Sequence, residues 1–128
     1  MSPAVLLVDD DREILEMTEL LLRASGYTVR LAGSGEEALF QVQELAPDLI
    51  LLDINMPGLD GWETLRVLKE DEATSSIPVV MFSVNFEVRE KLRALQQGAR
   101  DYVTKPFDTE GLLRRVAEIA GAPASPSA

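Results

Sequence analysis

The stretch Leu49-Ile50-Leu51-Leu52-Asp53 does most to constrain the fold. In a strand, successive side chains point to opposite faces, so four aliphatic residues in a row demand cover on both. A central strand of a parallel sheet, with helices above and below, meets that demand. The run ends on a carboxylate, and the chain then turns at Met56-Pro57-Gly58. An acid at such a strand tip is either an ordinary solvated residue or a placed reactive group.

The rest of the chain alternates in the same way. Apolar runs at Ala4–Val8, Thr28–Ala32, Leu49–Asp53, Val79–Phe82 and Asp101–Thr104 read as strands. Between and after them lie segments of helical period. The first begins at Asp11, carries Ile14, Leu15, Leu21 and Leu22, and ends at Gly26. Ser34 and Glu37 form a capping box before Ala38, Leu39, Val42 and Leu45, and Pro47 stops that helix. A third helix is expected over Gly61–Glu72, with Leu65, Val67 and Leu68 apolar. A fourth spans Phe86–Gln97, with Val88, Leu92 and Leu95 on one side. The fifth is capped by Asp108 and carries Leu112, Leu113, Val116 and Ile119. Five strand-helix pairs predict an α/β fold in one domain over residues 1–121. The Ala/Pro/Ser-rich residues 122–128 read as a disordered tail or linker.

In open parallel sheets, sites form beyond the C-terminal ends of the strands. Strand one ends in Asp9-Asp10-Asp11, strand three in Asp53 and strand four in Ser83, and Lys105-Pro106 follows strand five. Taken singly, each has an ordinary explanation: Asp11 as a helix cap, Lys105 as a surface cation, Ser83 as a loop hydroxyl. Tyr102 alone reads as a half-buried strand aromatic, and Trp62 as packing. Four complementary polar groups on one rim are harder to attribute to chance.

Composition limits their chemistry. The 128 residues include no histidine and no cysteine, which excludes thiolate chemistry, Cys/His zinc sites and His-dependent nucleophile systems. Three carboxylates in one cleft repel one another unless a cation intervenes. A hard ion such as Mg²⁺, with Mn²⁺ as a substitute, suits oxygen ligands and leaves positions for phosphate oxygens. An aspartate can then act as a nucleophile that forms an acyl phosphate, with lysine and a hydroxyl on the remaining oxygens. The 22 acidic against 12 basic residues give a net charge of −10, which disfavours nucleic acid and anionic membranes as partners. No long apolar run or basic leader is visible, so a cytoplasmic location is expected.

Four motifs carry a resemblance: VDDD at 8–11, LLDINMPGLDG at 51–61, MFSVN at 81–85 and DYVTKPF at 101–107. Together, in this order and at these spacings, they resemble the receiver domain of two-component response regulators, of the chemotaxis-regulator type. The resemblance covers roughly residues 4–120. It implies a flavodoxin-like three-layer sandwich with strand order 2-1-3-4-5 and helices on both faces. It implies that Asp53 is the phosphoacceptor and that Asp9, Asp10, Asp53 and the backbone carbonyl of Asn55 hold Mg²⁺. Lys105 would bind a phosphoryl oxygen, Ser83 another, and Tyr102 would be the aromatic switch. The Lys105–Pro106 bond would be cis, and the amides of Asn55 and Asn85 would orient attacking water. Ser83 stands where threonine is more usual, and Val84 where a small residue is common.

The resemblance further implies a histidine kinase or phosphotransfer protein as donor. The reader would be a downstream protein or a linked output domain, acting on a face of helix four, strand five and helix five. Such a chain is a signalling domain that takes part in its own phosphorylation and slow dephosphorylation, not an enzyme acting on a separate substrate. Two other readings stand beside it. A haloacid-dehalogenase-type phosphotransferase expects a second aspartate two residues after the nucleophile, where this chain has Asn55. A pseudo-receiver would bind partners without phosphorylation.

Overall fold

A computed structural model describes residues 2–85 and 87–123. The element order is β1 (Ala4–Val8), α1 (Arg12–Ala24), β2 (Thr28–Ala32), α2 (Gly35–Glu44), β3 (Leu49–Asp53), α3 (Gly61–Glu70), β4 (Val79–Ser83), α4 (Val88–Gln96), β5 (Asp101–Thr104) and α5 (Thr109–Ala120). All five strands are parallel, in the order 2-1-3-4-5. Every residue of β3 and β4 is buried, as the aliphatic run demanded.

The period of two along the strands divides the core into two layers. Leu6, Val8, Ile50, Leu52, Val79, Met81 and Tyr102 pack with Ala38 and Val42 of α2, Leu65 and Leu68 of α3, and Ala94 of α4. Val5, Leu7, Leu49, Leu51, Val80, Phe82 and Val103 pack with Leu15 and Leu22 of α1 and Leu112 and Val116 of α5. Each fully buried aliphatic side chain contributes about 1.5–3 kcal/mol relative to exposure. This layered core makes the sheet the rigid part that fixes the strand tips.

Four helix starts use side-chain caps. Asp11 accepts from Glu13 and Ile14, Ser34 from Glu37, Asp60 from Glu63, and Asp108 from Gly111. The expected box at Ser34 closes one residue earlier than its usual form, because the Glu37 carboxylate accepts from the N–H of Gly33. The open edge strand β2 is also guarded. The Thr28 N–H and the Ala32 carbonyl bond toward β1, so the carbonyls of Val29 and Leu31 face outward. They accept from Arg23 at 2.7 Å and from Gln41 at 2.6 Å. Unpaired edge groups invite another strand, and these two side chains occupy them.

Some boundaries differ from the sequence reading. Helix α3 stops at Glu70, not Glu72, because Asp71 turns its carboxylate onto the Ala73 N–H and its carbonyl onto Thr74 and Ser75. Strand β4 runs one residue further, to Ser83, whose carbonyl accepts from the Lys105 N–H at 2.7 Å. Helix α4 starts at Val88, and the expected start, Phe86, lies outside the described residues. The apolar residues on its one side, Val88, Leu92 and Leu95, all face solvent. The helix buries Ala94 instead, a small residue that allows close approach to the sheet. Residues 124–128 of the expected tail also lie outside the described residues. No helix among the described residues is long and apolar enough to cross a membrane.

Candidate functional site

The parallel register brings the strand tips to one level. Val8 lies opposite Leu52, Asp53 opposite Phe82, and Ser83 opposite Thr104. Asp9 continues the line of β1, with its N–H on the Ala32 carbonyl at 3.1 Å. Its Oδ1 accepts from the Asp11 N–H at 3.0 Å, which fixes the carboxylate, while the Asp11 side chain caps α1. Lys105 is held by its own N–H one residue beyond β5, and the Lys105–Pro106 bond is cis.

These backbones converge on one ammonium group. Lys105 Nζ lies 2.7 Å from Asp9 Oδ2 and 3.0 Å from Asp53 Oδ1. Asp9 and Asp53 are each only 4% exposed, whereas Asp10 beside them faces solvent. Oxygens of Asp9, Asp10 and Asp53 lie within 4.8 Å of one another. Burial raises the Asp53 carboxyl to about 6, Lys105 opposes the shift, and the charges of Asp9 and Asp10 add to it. Burial pulls the Lys105 ammonium down, but its hydrogen bonds to Asp9 and Asp53 outweigh this and raise it. Three carboxylates against one lysine leave an excess of negative charge. The donor set is all oxygen, with one member open to solvent, and it fits a hard divalent cation that keeps part of its water shell.

The other expected residues form a second group. Ser83 is buried, and its Oγ accepts from the Asn85 N–H at 3.0 Å. Tyr102 is also buried, and its hydroxyl donates to the Asn85 carbonyl at 2.5 Å. Neither hydroxyl bonds to the side chain of Asp53 or Lys105. Asn55 is exposed two residues beyond Asp53. Val84 is exposed and lines an apolar groove with Ile14, Met17, Lys105 and Phe107. Trp62 is half-buried beneath the Arg93 guanidinium, 4.0 Å from its ring centre.

Two residues matter more here than the sequence suggested. Gly61 reads as turn chemistry, yet its N–H bonds the Ile54 carbonyl at 2.9 Å, and a Cβ there would lie 2.4 Å from the Asp53 carbonyl oxygen. A glycine eight residues after the candidate acceptor was the only available signal. Asn85, expected to orient water through its amide, also holds the start of α4, its Oδ1 accepting from the Glu87 N–H at 2.9 Å.

Comparison with known proteins agrees with this architecture. The family model described as the response regulator receiver domain matches residues 5–117. The DNA-binding response regulator MtrA of Mycolicibacterium smegmatis is 40% identical over 116 residues, 91% of this chain and 50% of that protein. The phosphate regulon transcriptional regulatory protein PhoB of Pseudomonas aeruginosa is 39% identical, over 93% of this chain and 52% of that protein. The chain thus spans about half the length of these curated relatives. Among solved structures, a response regulator from Chloroflexus aurantiacus superposes with a TM-score of 0.89 at 38% identity, covering 94% of this chain and 98% of that one. Chemotaxis protein CheY4 of Vibrio cholerae gives 0.87 at 30% identity, covering 93% and 99%. With the fold, the strand order and the family model in agreement, this chain belongs to the receiver domains of two-component response regulators.

Proposed function

We propose that Asp53 accepts a phosphoryl group from a phosphohistidine on a histidine kinase or phosphotransfer protein. The observation that carries this reading is the Lys105 ammonium bridging Asp9 and Asp53, with Asp10 beside them. A carboxylate held near pH 6 is largely ionised at neutral pH and is available as a nucleophile. Its oxygen forms a bond to phosphorus as the donor's N–P bond breaks, and the departing imidazole keeps the electron pair and takes up a proton. Lys105 meets the new phosphoryl oxygens and compensates their charge. Ser83 supplies a hydroxyl to another oxygen by moving from its bond with Asn85. Asp9, Asp10, Asp53 and the Asn55 carbonyl would hold Mg²⁺ or Mn²⁺. When bound, that ion neutralises charge in the in-line transfer.

The acyl phosphate then biases a two-state equilibrium in which Ser83 and Tyr102 move together. The face of α4, β5 and α5 carries the change to a downstream protein or a linked output domain. The chain contributes to its own phosphorylation and slow dephosphorylation and has no separate substrate. Its net charge of −10 argues against direct contact with nucleic acid or an anionic membrane. The test is intact mass after incubation with acetyl phosphate. A gain of one phosphoryl group that needs Mg²⁺ and is lost in Asp53→Asn is expected. A gain that persists in Asp53→Asn would overturn the assignment.

A further inference from the structure

We propose that the Asn85 side chain is a positioning residue that ties the start of α4 to Ser83, so that the state of the phosphoryl site sets the order of that helix. The proposal rests on the reading of Asp53 given above and assigns a regulatory role within it. Three groups of this one residue are engaged at once. Its N–H donates to Ser83 Oγ at 3.0 Å, its carbonyl accepts from Tyr102 at 2.5 Å, and its Oδ1 accepts from the Glu87 N–H at 2.9 Å. Glu87 is the N-cap position of α4.

A bond of the same form also fixes the α1 cap, where Asp9 Oδ1 accepts from the Asp11 N–H at 3.0 Å; α4 differs in what its own cap residue supplies. Helices α1, α2, α3 and α5 each donate a backbone N–H to the side chain of their own cap residue, whereas the Glu87 side chain accepts none from α4. Asn85 instead fixes the cap residue itself, accepting the Glu87 N–H from two residues upstream. Helix α4 is also thinly anchored, with Ala94 its one buried residue and Val88, Leu92 and Leu95 exposed. A helix held so lightly responds to the loss of a single terminal bond. Ser83 cannot turn its hydroxyl toward Asp53 without releasing the Asn85 N–H or drawing Asn85 along. Either motion disturbs the Oδ1 contact at Glu87.

The test compares wild type, Asn85→Ala and Asn85→Asp by amide hydrogen exchange read residue by residue. Alanine removes Oδ1 and keeps both backbone bonds, while aspartate keeps an oxygen acceptor. In the metal-free resting protein, exchange in the first turn of α4 should rise about fivefold in Asn85→Ala, the usual effect of a lost cap. Asn85→Asp should return it toward wild type. On the phosphorylated species, with occupancy read from intact mass, α4 exchange should shift in wild type and Asn85→Asp, and shift much less in Asn85→Ala. Unchanged resting exchange in Asn85→Ala would overturn the proposal. So would a normal α4 response accompanied by an altered acyl-phosphate lifetime, the mark of a water-orienting role. If wild type takes up no phosphoryl group, the functional reading fails separately, and the resting comparison alone decides whether Asn85 holds α4.

Discussion

Replacing Gly61 with alanine should damage the site from outside it. Gly61 opens α3, and its Cα presses against the tip of β3. An added Cβ would lie 2.4 Å from the Asp53 carbonyl oxygen and 2.6 Å from the Ile54 Cα, where ordinary contact begins at 3.4 Å. Relief therefore needs a displacement of roughly 1 Å, and the obstructing atoms are backbone atoms of a buried strand end, which cannot rotate aside. Overpacking of this kind costs about 1–3 kcal/mol. Alanine's better helix propensity returns up to about 1 kcal/mol. The net loss of about 1–2 kcal/mol corresponds to a fall in melting temperature of about 4–8 °C for a domain of this size. The functional loss should be larger in proportion, because a shift of about 1 Å in a reacting group costs up to about a hundredfold in rate. Thermal unfolding and the rate of phosphoryl uptake by intact mass measure the two effects, and Trp62, the sole tryptophan, adjoins the substitution as a fluorescence reporter. Gly33→Ala is the control, since a Cβ there meets nothing closer than the Glu37 carboxylate at 3.7 Å. Wild-type melting and wild-type uptake in Gly61→Ala would refute the close-contact argument.

Lys105→Ala should strand two buried carboxylates and destabilise the metal-free protein by about 3 kcal/mol at neutral pH, with Asp53 driven further up; an unchanged denaturation midpoint would count against the bridge. Because Asp53 titrates near 6 when folded against 3.8 when free, the folded state binds more protons between those values, and this group's contribution falls by about 3 kcal/mol as pH rises from about 4 to 6. The stability advantage of Asp53→Asn over metal-free wild type should therefore widen over that interval in denaturant melts and level off above it. Parallel curves would contradict the raised carboxyl. Arg23→Ala combined with Gln41→Ala uncovers the outward carbonyls of β2, each bond being worth about 0.5–1.5 kcal/mol, and should promote self-association seen by light scattering.

Much of this was legible in the residues. The aliphatic run of β3, the cap residues Asp11, Ser34 and Asp108, and the acids and lysine after the strands all depend on local pattern, and the structure places them where that pattern points. What escaped depends on contacts that helical or strand periodicity does not encode. The stripe Val88, Leu92 and Leu95 has helical spacing, but spacing does not say which side meets the sheet, and Ala94 wins that position by being small. Asp71 ends α3 through its own side-chain bonds, in competition with a helical pattern that continued past it. Gly61 carries no chemistry of its own, so only the distance to Asp53 reveals its part. Asn85 acts through Ser83 and Glu87, two residues to either side, and through Tyr102 of β5, a set that no helical or strand period connects.

The most direct measurement locates the phosphoryl group itself. After phosphorylation in Mg²⁺, borohydride reduces an acyl phosphate to the alcohol, so a phosphorylated aspartate becomes homoserine and can be placed by peptide mass. The account predicts homoserine at position 53 alone, dependent on Mg²⁺ and on the phosphoryl donor. Homoserine at another aspartate, or a phosphorylated protein that yields none at position 53, would contradict it.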